Sequence, residues 1–209
     1  MRYFLYLLFS SCLLLLSCEK EEPPMPAYIQ ELAEMHTDSE GYARTLTLDQ
    51  GTVLQIGNKV GGLKADTLYR IRALYQQSGS TVWLSNFAPV LTPHLTHHSP
   101  EVIKTDPVSL TACWRGQHYL NLRLNIRATA EGKHLFGFHE AGLQRYSNGT
   151  QTLQAVLLHD QNNDPAYYTR EVFLSLPLRP LTEKLQSGRD TLQLSIPSRE
   201  GWIVRKMIF

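Results

Sequence analysis

The stretch Tyr119-Leu120-Asn121-Leu122-Arg123-Leu124-Asn125-Ile126-Arg127 alternates strictly between apolar and polar residues. Each even position holds Leu or Ile, and each odd position holds Tyr, Asn or Arg. A period of two residues is typical of a β-strand, because successive side chains point to opposite faces of the sheet. The stretch therefore predicts a strand with one buried face and one face in water.

The same alternation recurs along most of the chain. Alternating segments are found at 44–48, 68–75, 153–159, 172–178 and 191–196. They are separated by turn sequences such as Asn148-Gly149 and Asn162-Asn163-Asp164-Pro165, which are typical strand boundaries. Segment 28–36 fits a strand or a helix, and a short helical turn is expected at 181–186. Long helical patterns are absent from the sequence, so we predict an all-β protein.

A break in the alternation divides the chain into two parts. The pattern stops between residues 92 and 106, and Pro93 and Pro100 lie inside this gap. Five strand candidates precede the gap and about seven follow it. We predict a small OB-like five-stranded barrel at 27–92, a linker at 93–105, and a roughly seven-stranded antiparallel β-sandwich at 106–209. We also expect each domain to fold independently.

The N-terminus has the layout of a lipoprotein signal peptide. Met1 and Arg2 precede an apolar run that ends at Ser17, and this run is shorter than the about 20 residues of a membrane-spanning helix. The run ends in Leu15-Leu16-Ser17-Cys18, which resembles the lipobox of bacterial lipoproteins. We predict removal of residues 1–17 and lipidation of Cys18, with residues 18–26 as an acidic, Pro-rich tether.

The tether carries a second targeting signal. Lys20, Glu21 and Glu22 follow the cysteine and resemble the export signal of surface lipoproteins in Bacteroidetes. We expect the lipid to anchor the protein to the outer membrane at the cell surface, with the periplasmic face as the alternative.

Composition and motifs exclude several function classes. The net charge is +1 and basic residues form no stripe, so we expect no nucleic-acid partner. Cys113 is the only cysteine after Cys18; we therefore expect no intrachain disulfide and a packed core thiol. The sequence has no nucleophile elbow, phosphate-binding loop or zinc-protease motif. We predict a protein that is not an enzyme, with no catalytic residues and no cofactor.

Two groups of residues could supply metal ligands. The histidines His94, His97 and His98 are close together in the predicted linker, where a solvated segment is the favoured interpretation. A loop places oxygen ligands at alternate positions: Asp160, Asn162 and Asp164. Pro165 takes the place of the glycine that an EF-hand requires. A hairpin turn is therefore favoured over a calcium site, and no metal is predicted.

Exposed aromatic side chains are the candidates for ligand binding, since aromatic rings stack on sugars and on protein partners. The candidates are Tyr119, Tyr146, Tyr167, Tyr168 and Trp202. Three other aromatic residues, Trp83, Phe87 and Trp114, are expected in the core. Asp66-Thr67-Leu68 and Asp190-Thr191-Leu192 resemble a short acceptor motif of protein O-glycosylation in Bacteroidetes, which makes Thr67 and Thr191 candidate acceptors.

A family resemblance covers most of the chain after the signal peptide and is strongest in its C-terminal half. It is carried by Asp106-Pro107-Val108, Trp114-Arg115-Gly116, Tyr119-Leu120-Asn121-Leu122, Lys133-His134 and Phe173-Leu174-Ser175-Leu176-Pro177. These segments are similar to the NigD-like lipoproteins of Bacteroidetes. The resemblance implies an N-terminal OB-like domain and a C-terminal β-sandwich. It also implies a link to bacteriocin production through the family's namesake, and it supplies no catalytic residues.

These observations predict a lipid-anchored binding or interaction module outside the cytoplasm. Its partner is a glycan or a protein, besides the membrane that holds the anchor. The alternative is a bacteriocin-associated immunity or accessory lipoprotein, and a hydrolase is the least favoured reading.

Overall fold

The computed structural model describes residues 27–97, 99 and 103–209. They form β-strands and one short 3₁₀ helix, Arg179–Glu183. The strands are β1 (Ile29–Thr37), β2 (Ala43–Leu48), β3 (Val53–Ile56), β4 (Leu68–Ser78), β5 (Thr81–Pro89), β6 (Leu95–Thr96), β7 (Ser109–Arg115), β8 (Tyr119–Ala128), β9 (Leu135–Arg145), β10 (Gln151–Asp160), β11 (Tyr168–Pro177), β12 (Thr191–Ser198) and β13 (Gly201–Ile208). The all-β prediction is confirmed, and segment 28–36 resolves as a strand. Within the described residues, no helix has the length and hydropathy needed to cross a membrane.

The first five strands close into a barrel in the order β1-β2-β3-β5-β4. Alternate side chains of these strands fill its interior, and the largest of them are Met35, Leu46, Ile71 and Tyr75. Because every strand has two neighbours, the barrel leaves no open edge in its sheet. The predicted OB-like five-stranded barrel is confirmed.

The remaining strands form a sandwich of two sheets. One sheet has the order β13-β12-β10-β9-β6, and the other has the order β11-β8-β7. The even residues of β8 face the core between the sheets, as the alternation predicts, and Leu120, Leu122 and Leu124 are fully buried there. The predicted sandwich is confirmed.

The larger sheet is mixed rather than antiparallel throughout. β10 pairs with β12 in parallel, and β6 pairs with β9 in parallel. After β10 the chain crosses to the other sheet as β11 and returns through the 3₁₀ helix, so β12 runs in the same direction as β10. Strand β6 lies within the segment 93–105 that was expected to be a linker, and Leu95 packs against the sandwich core.

The barrel packs against the outer face of the three-stranded sheet. Residues of β1 and β4 that point away from the barrel interior meet the odd residues of β8 and the outward residues of β11. Asn121 and Ser175 on that face are fully buried. The prediction of a water-exposed face for β8 is therefore wrong here, because a polar strand face can also be buried against polar groups of another domain.

Candidate binding cleft between the barrel and the sandwich

A buried arginine joins the two domains. The Arg70 side chain is 3% exposed, and its Nη2 lies 2.7 Å from Asp49 Oδ1 on the barrel. The same guanidinium donates to Asn121 Oδ1 at 2.9 Å and to Ser175 Oγ at 3.2 Å on the sandwich. Such a charge is tolerated in a protein interior only when it is paired and hydrogen-bonded. Arg70 therefore fixes the barrel against the sandwich.

The neighbouring polar groups complete this network. Asn121 Nδ2 donates to Asp49 Oδ2 at 2.7 Å, and Ser175 Oγ donates to Asn121 Oδ1 at 2.7 Å. Among the described residues, no buried side-chain nitrogen or oxygen lacks a hydrogen-bond partner. A fully satisfied network of this kind sets a single arrangement of two surfaces.

A second contact lies beside the first. Tyr119 donates its hydroxyl to Glu34 Oε1 at 2.9 Å, and the Arg70 guanidinium lies 4.3 Å from the Tyr119 ring centre. Burial, together with the hydrogen bond to Glu34, raises the pKa of Tyr119 to about 12. Tyr119, expected as a ligand-binding aromatic, thus belongs to the contact between the domains.

Next to this contact the two domains separate and leave an open cleft of about 560 Å³. This size falls in the range of about 300–1,000 Å³ that is common for ligand sites, and domain junctions are frequent locations for them. The barrel supplies residues of β1, of β4 and of the β2–β3 turn, and the sandwich supplies residues of β7, β8 and β11. The side chains that give the cleft its chemistry are Gln30, Glu31, Gln50, Arg72, Trp114, Arg123, Glu171 and Phe173.

An ordered pair of arginines lies in the cleft above an aromatic ring. Arg72 and Arg123 both pair with the Glu171 carboxylate, at 3.4 Å and 2.5 Å. Their guanidinium carbons lie 4.9 Å and 5.9 Å from the centre of the Phe173 ring. The ring and the carboxylate hold both guanidinium groups in place, while their remaining N–H groups stay available as donors.

Strand β7 continues the sandwich wall of the cleft beside β8. Trp114 and Ala112 lie on the same face of the sheet as Asn121 and Arg123, because these residues are paired across β7 and β8. Trp114 is half-buried and borders the cleft, so its expected place in the core is wrong. Gly116 follows at the end of β7, where an added Cβ would lie 2.8 Å from Asp49 Cγ. A glycine is needed here to let the β2–β3 turn approach the sandwich.

The described cleft lining holds three carboxylates, Glu31, Asp49 and Glu171, and its arginines are unevenly paired with them. Asp49 is paired with Arg70, and Glu171 is paired with Arg72 and Arg123. Arg115 has no ion pair within the described part of the chain; it donates to the Ile208 carbonyl at 2.7 Å and lies near the Phe209 ring. Because side chains alternate along β7, Arg115 points to the face opposite Trp114, so the guanidinium groups that face the cleft are those of Arg72 and Arg123.

The cleft is lined by aromatic rings, guanidinium groups, carboxylates and amides. Its lining, as far as the structure describes it, contains no serine, cysteine, histidine or lysine. The described residues also contain no group of three or more His, Cys, Asp or Glu side chains that could hold a metal ion. Rings, guanidinium groups and amides are the functional groups that orient a polar ligand.

The other predicted aromatic residues lie elsewhere on the sandwich. Tyr146 follows β9, Tyr167 and Tyr168 lie at the start of β11, and Trp202 lies on β13; all four are exposed. None of them borders the cleft as its lining is described. Of the aromatic residues that were expected in the core, Phe87 packs against the barrel core, whereas Trp83 is 44% exposed.

The metal candidates have structural partners instead. Asp160 accepts the Asn162 backbone N–H and pairs with Lys104, as expected for a turn. Asp164 is buried and accepts hydrogen bonds from Thr129. In the other group, His97 lies 5.4 Å from His139, measured between ring centres, and His98 lies outside the described residues.

The remaining predicted sites are not tested by the structure. Cys18, Lys20, Glu21 and Glu22 lie outside the described residues. Thr67 and Thr191 are both half-buried, and the Thr67 hydroxyl donates to the Ala65 carbonyl at 2.8 Å. Cys113 is a free, partly buried thiol that packs against the sandwich core, and burial raises its pKa.

Sequence reasoning missed the residues that form the cleft. Arg72 and Arg123 were interpreted only as members of alternating strands. Phe173 was noted only within the family resemblance, and Glu171 only as the twelfth position of the rejected EF-hand pattern. The Trp114-Arg115-Gly116 segment was noted as part of the family resemblance. This segment and the segment that begins at Phe173 were the two signals that could have directed attention to this place.

Comparison with known families decides the classification. The model of the NigD-like C-terminal beta sandwich domain matches residues 92–207. The chain belongs to the NigD-like family. The match begins ahead of β6, in agreement with the packing of Leu95 on the sandwich. No curated protein matches this NigD-like chain significantly in sequence.

Solved structures share the two-domain fold of this NigD-like protein. A NigD-like immunity protein from Bacteroides caccae has 23% identity and a TM-score of 0.69, over 90% of this chain and 98% of its own. A protein described as toxin-related, from Parabacteroides distasonis, has 17% identity and a TM-score of 0.69, over 88% and 93%. A provisionally assigned lipoprotein from Bacteroides fragilis has 14% identity and a TM-score of 0.62, over 87% and 97%. At these identities the likeness establishes the fold alone.

Proposed function

We propose that this NigD-like protein is a lipid-anchored binding module that takes a glycan in the cleft between barrel and sandwich. One observation carries the proposal: the cleft combines two aromatic rings, Trp114 and Phe173, with guanidinium, carboxylate and amide groups. Sugar rings present apolar faces that stack on aromatic side chains, and hydroxyl groups that pair with planar polar side chains. The buried network around Arg70 holds the two walls in place before the ligand arrives, which lowers the entropic cost of binding.

The charge distribution suggests an acidic sugar as the preferred ligand. Arg72 and Arg123 share the single Glu171 carboxylate, so one positive charge of the pair stays without a carboxylate of its own. A uronic-acid carboxylate would complete the pairing of these arginines.

The test is isothermal titration of residues 27–209 with short oligosaccharides, both neutral and uronic-acid-containing. Trp114→Ala should weaken binding about tenfold, which corresponds to the loss of one stacking contact of about 1.4 kcal/mol. Trp202→Ala is the matched control, since that ring is exposed but borders no part of the described cleft. Binding that survives Trp114→Ala unchanged, or that Trp202→Ala weakens equally, would refute the cleft as the glycan site.

A methyl ester of the same oligosaccharide separates the two parts of the proposal. Esterification removes the charge and keeps the sugar, so it should weaken binding if Arg72 and Arg123 contact the carboxylate. Equal binding of acid and ester would leave the glycan site standing and reject its preference for an acid.

The location forms part of the proposal. Lipidation of Cys18 and export through Lys20, Glu21 and Glu22 would place the cleft at the outer surface of the outer membrane, where external glycans are accessible. Replacing Glu21 and Glu22 by Ala should reduce cleavage by external protease while acylation continues. Unchanged exposure would favour the periplasmic face.

A bacteriocin-related role is the second candidate, because a structural neighbour of the chain is described as a NigD-like immunity protein. In that role the partner is a protein, and the cleft would accept part of it. Deletion of the gene should then sensitise the native host to bacteriocins of competing strains. Restoration by the Trp114→Ala variant would show that any such protection does not use the cleft.

A further inference from the structure

Two buried histidines form a hydrogen-bonded chain at one end of the sandwich, away from the cleft. His134 precedes β9 and His159 lies in β10, and Nδ1 of His134 lies 2.8 Å from Nε2 of His159. At the outer end of the chain, His134 Nε2 lies 3.0 Å from Asp164 Oδ2. At the inner end, His159 Nδ1 lies 3.0 Å from the Asp106 carbonyl oxygen.

The hydrogen-bonded group formed by Asp164, His134 and His159 is closed to solvent. The side chains of His134 and Asp164 are 1% and 5% exposed, and His159 is 1% exposed. The Phe136 ring stacks on the His159 ring at 4.7 Å and 9°. A metal ion does not fit between the two rings, because nitrogens that share a zinc ion with bonds of about 2.0–2.1 Å lie more than about 3 Å apart.

The number of hydrogens that these hydrogen bonds require gives the charge of the two imidazole rings. The Asp106 carbonyl can only accept, so His159 Nδ1 must carry a hydrogen. Thr129 donates its hydroxyl and its N–H to Asp164, and these bonds lower the pKa of Asp164. The carboxylate is therefore ionised and accepts a hydrogen from His134 Nε2. The contact between the rings needs one more hydrogen, which makes three N–H groups on two imidazoles, whereas two neutral imidazoles carry only two.

We propose that His134 and His159 together bind one proton in the folded protein and that this proton locks three connections at the end of the sandwich. These connections are the segments 103–107, 129–134 and 161–167, which supply Asp106, Thr129 with His134, and Asp164. Removing the proton places two nitrogen lone pairs opposite each other at 2.8 Å, so at least one bond of the chain must break.

The surrounding charges favour one proton and disfavour two. The charged groups that face the two histidines are Asp164 in segment 161–167, Asp106 and Lys104 in segment 103–107, Asp160 at the end of β10, and Arg170 of β11. Arg170 donates to the Thr129 and Gly132 carbonyls. Lys104 is paired with Asp160. Burial lowers the pKa of His159, and the adjacent His134 lowers it further, against the raising effects of Asp106 and Asp160. The positive charge therefore resides on His134 beside the Asp164 carboxylate.

The stability of the folded protein should be highest at about pH 6.5, the pKa of histidines in an unfolded chain, and should decrease on both sides of it. Above that pH the folded chain holds one proton that the unfolded chain releases, so stability falls as the pH rises. Below that pH the unfolded chain binds two protons, whereas the folded chain keeps one because the pKa of His159 is lowered. Stability therefore decreases as the pH is lowered. Each side contributes up to a tenfold change in the unfolding constant per pH unit.

The direct experiment is an imidazole nitrogen NMR titration of residues 27–209. Near pH 6.5 we expect His134 with protons on both nitrogens and His159 with a proton on Nδ1 alone. Two neutral rings at that pH, or two charged ones, would overturn the proposal.

Urea denaturation over about pH 5.5–8.5 gives a second readout. The wild type should show maximal stability near pH 6.5. His159→Gln should lose the fall in stability on the acid side, because His134 alone then binds one proton in both states. His36→Gln, at an exposed position on β1, should leave the profile unchanged. Parallel profiles for all three proteins would reject the shared proton. If His159→Gln does not fold, the NMR titration of the wild type alone decides.

Discussion

Removing the Arg70 guanidinium should destabilise the protein by more than removing an exposed arginine at the same contact between the domains. Arg70→Met keeps the length of the side chain but deletes the positive charge that pairs with Asp49 and the donors to Asn121 and Ser175. Breaking a buried ion pair costs about 3–5 kcal/mol. The Asp49 side chain is 17% exposed and still accepts the hydrogen bond from Asn121 in the variant. Because its charge is then partly solvated, we expect a loss of stability at the lower end of this range, about 3 kcal/mol.

The assay is urea denaturation of residues 27–209 followed by circular dichroism. With a slope of about 2–3 kcal/mol per molar urea, a loss of about 3 kcal/mol moves the midpoint down by about 1–1.5 M. Arg72→Met is the matched control, because Arg72 lies on the same face of β4 and its pair with Glu171 is one-third exposed on both sides. Such a pair contributes about 0–1 kcal/mol. Equal midpoint shifts for the two variants would refute the assignment of Arg70 as the residue that fastens the domains.

Three further predictions concern the anchor, the modification sites and the domain boundary. Cys18→Ser should abolish acyl labelling and release the protein from membranes; a variant that stays membrane-bound and is cleaved normally would contradict the lipobox. Intact-mass measurement of protein from its native host should show glycan mass at Thr67 or Thr191, and a mass of lipid plus polypeptide alone would exclude it. A fragment of residues 92–209 should melt cooperatively and at a higher temperature than residues 104–209, because only the longer fragment contains β6. An aggregated longer fragment would show that the sandwich depends on the barrel.

The fold class was predictable because burial of one sheet face imposes a period of two on several of the strands. The apolar positions of β8 and β10 are buried as the alternation indicates. Strand direction was less predictable, since alternation is the same in parallel and antiparallel pairs. The parallel pairing of β10 with β12 depends on β11 crossing to the other sheet, and the sequence of β12 carries no mark of it.

The cleft was not predictable for a related reason. A row of polar residues on a strand has the same appearance whether it faces water or a second domain. Arg123, on the outward face of β8, lies at the cleft, whereas Asn121, two residues earlier, is fully buried against the barrel. Trp114 was assigned to the core because large aromatic residues are mostly buried, yet it lies where the barrel leaves β7 uncovered.

The sequence by itself determined that the chain forms strands, where most of them begin and end, and that a barrel precedes a sandwich, because these properties follow from local alternation and turn chemistry. Only the tertiary structure decided which polar residues meet. Arg70 and Ser175 are 105 positions apart along the chain, and Arg72 and Glu171 are 99 apart. Their proximity depends on how the barrel sits on the sheet, and no local pattern of residues encodes that contact.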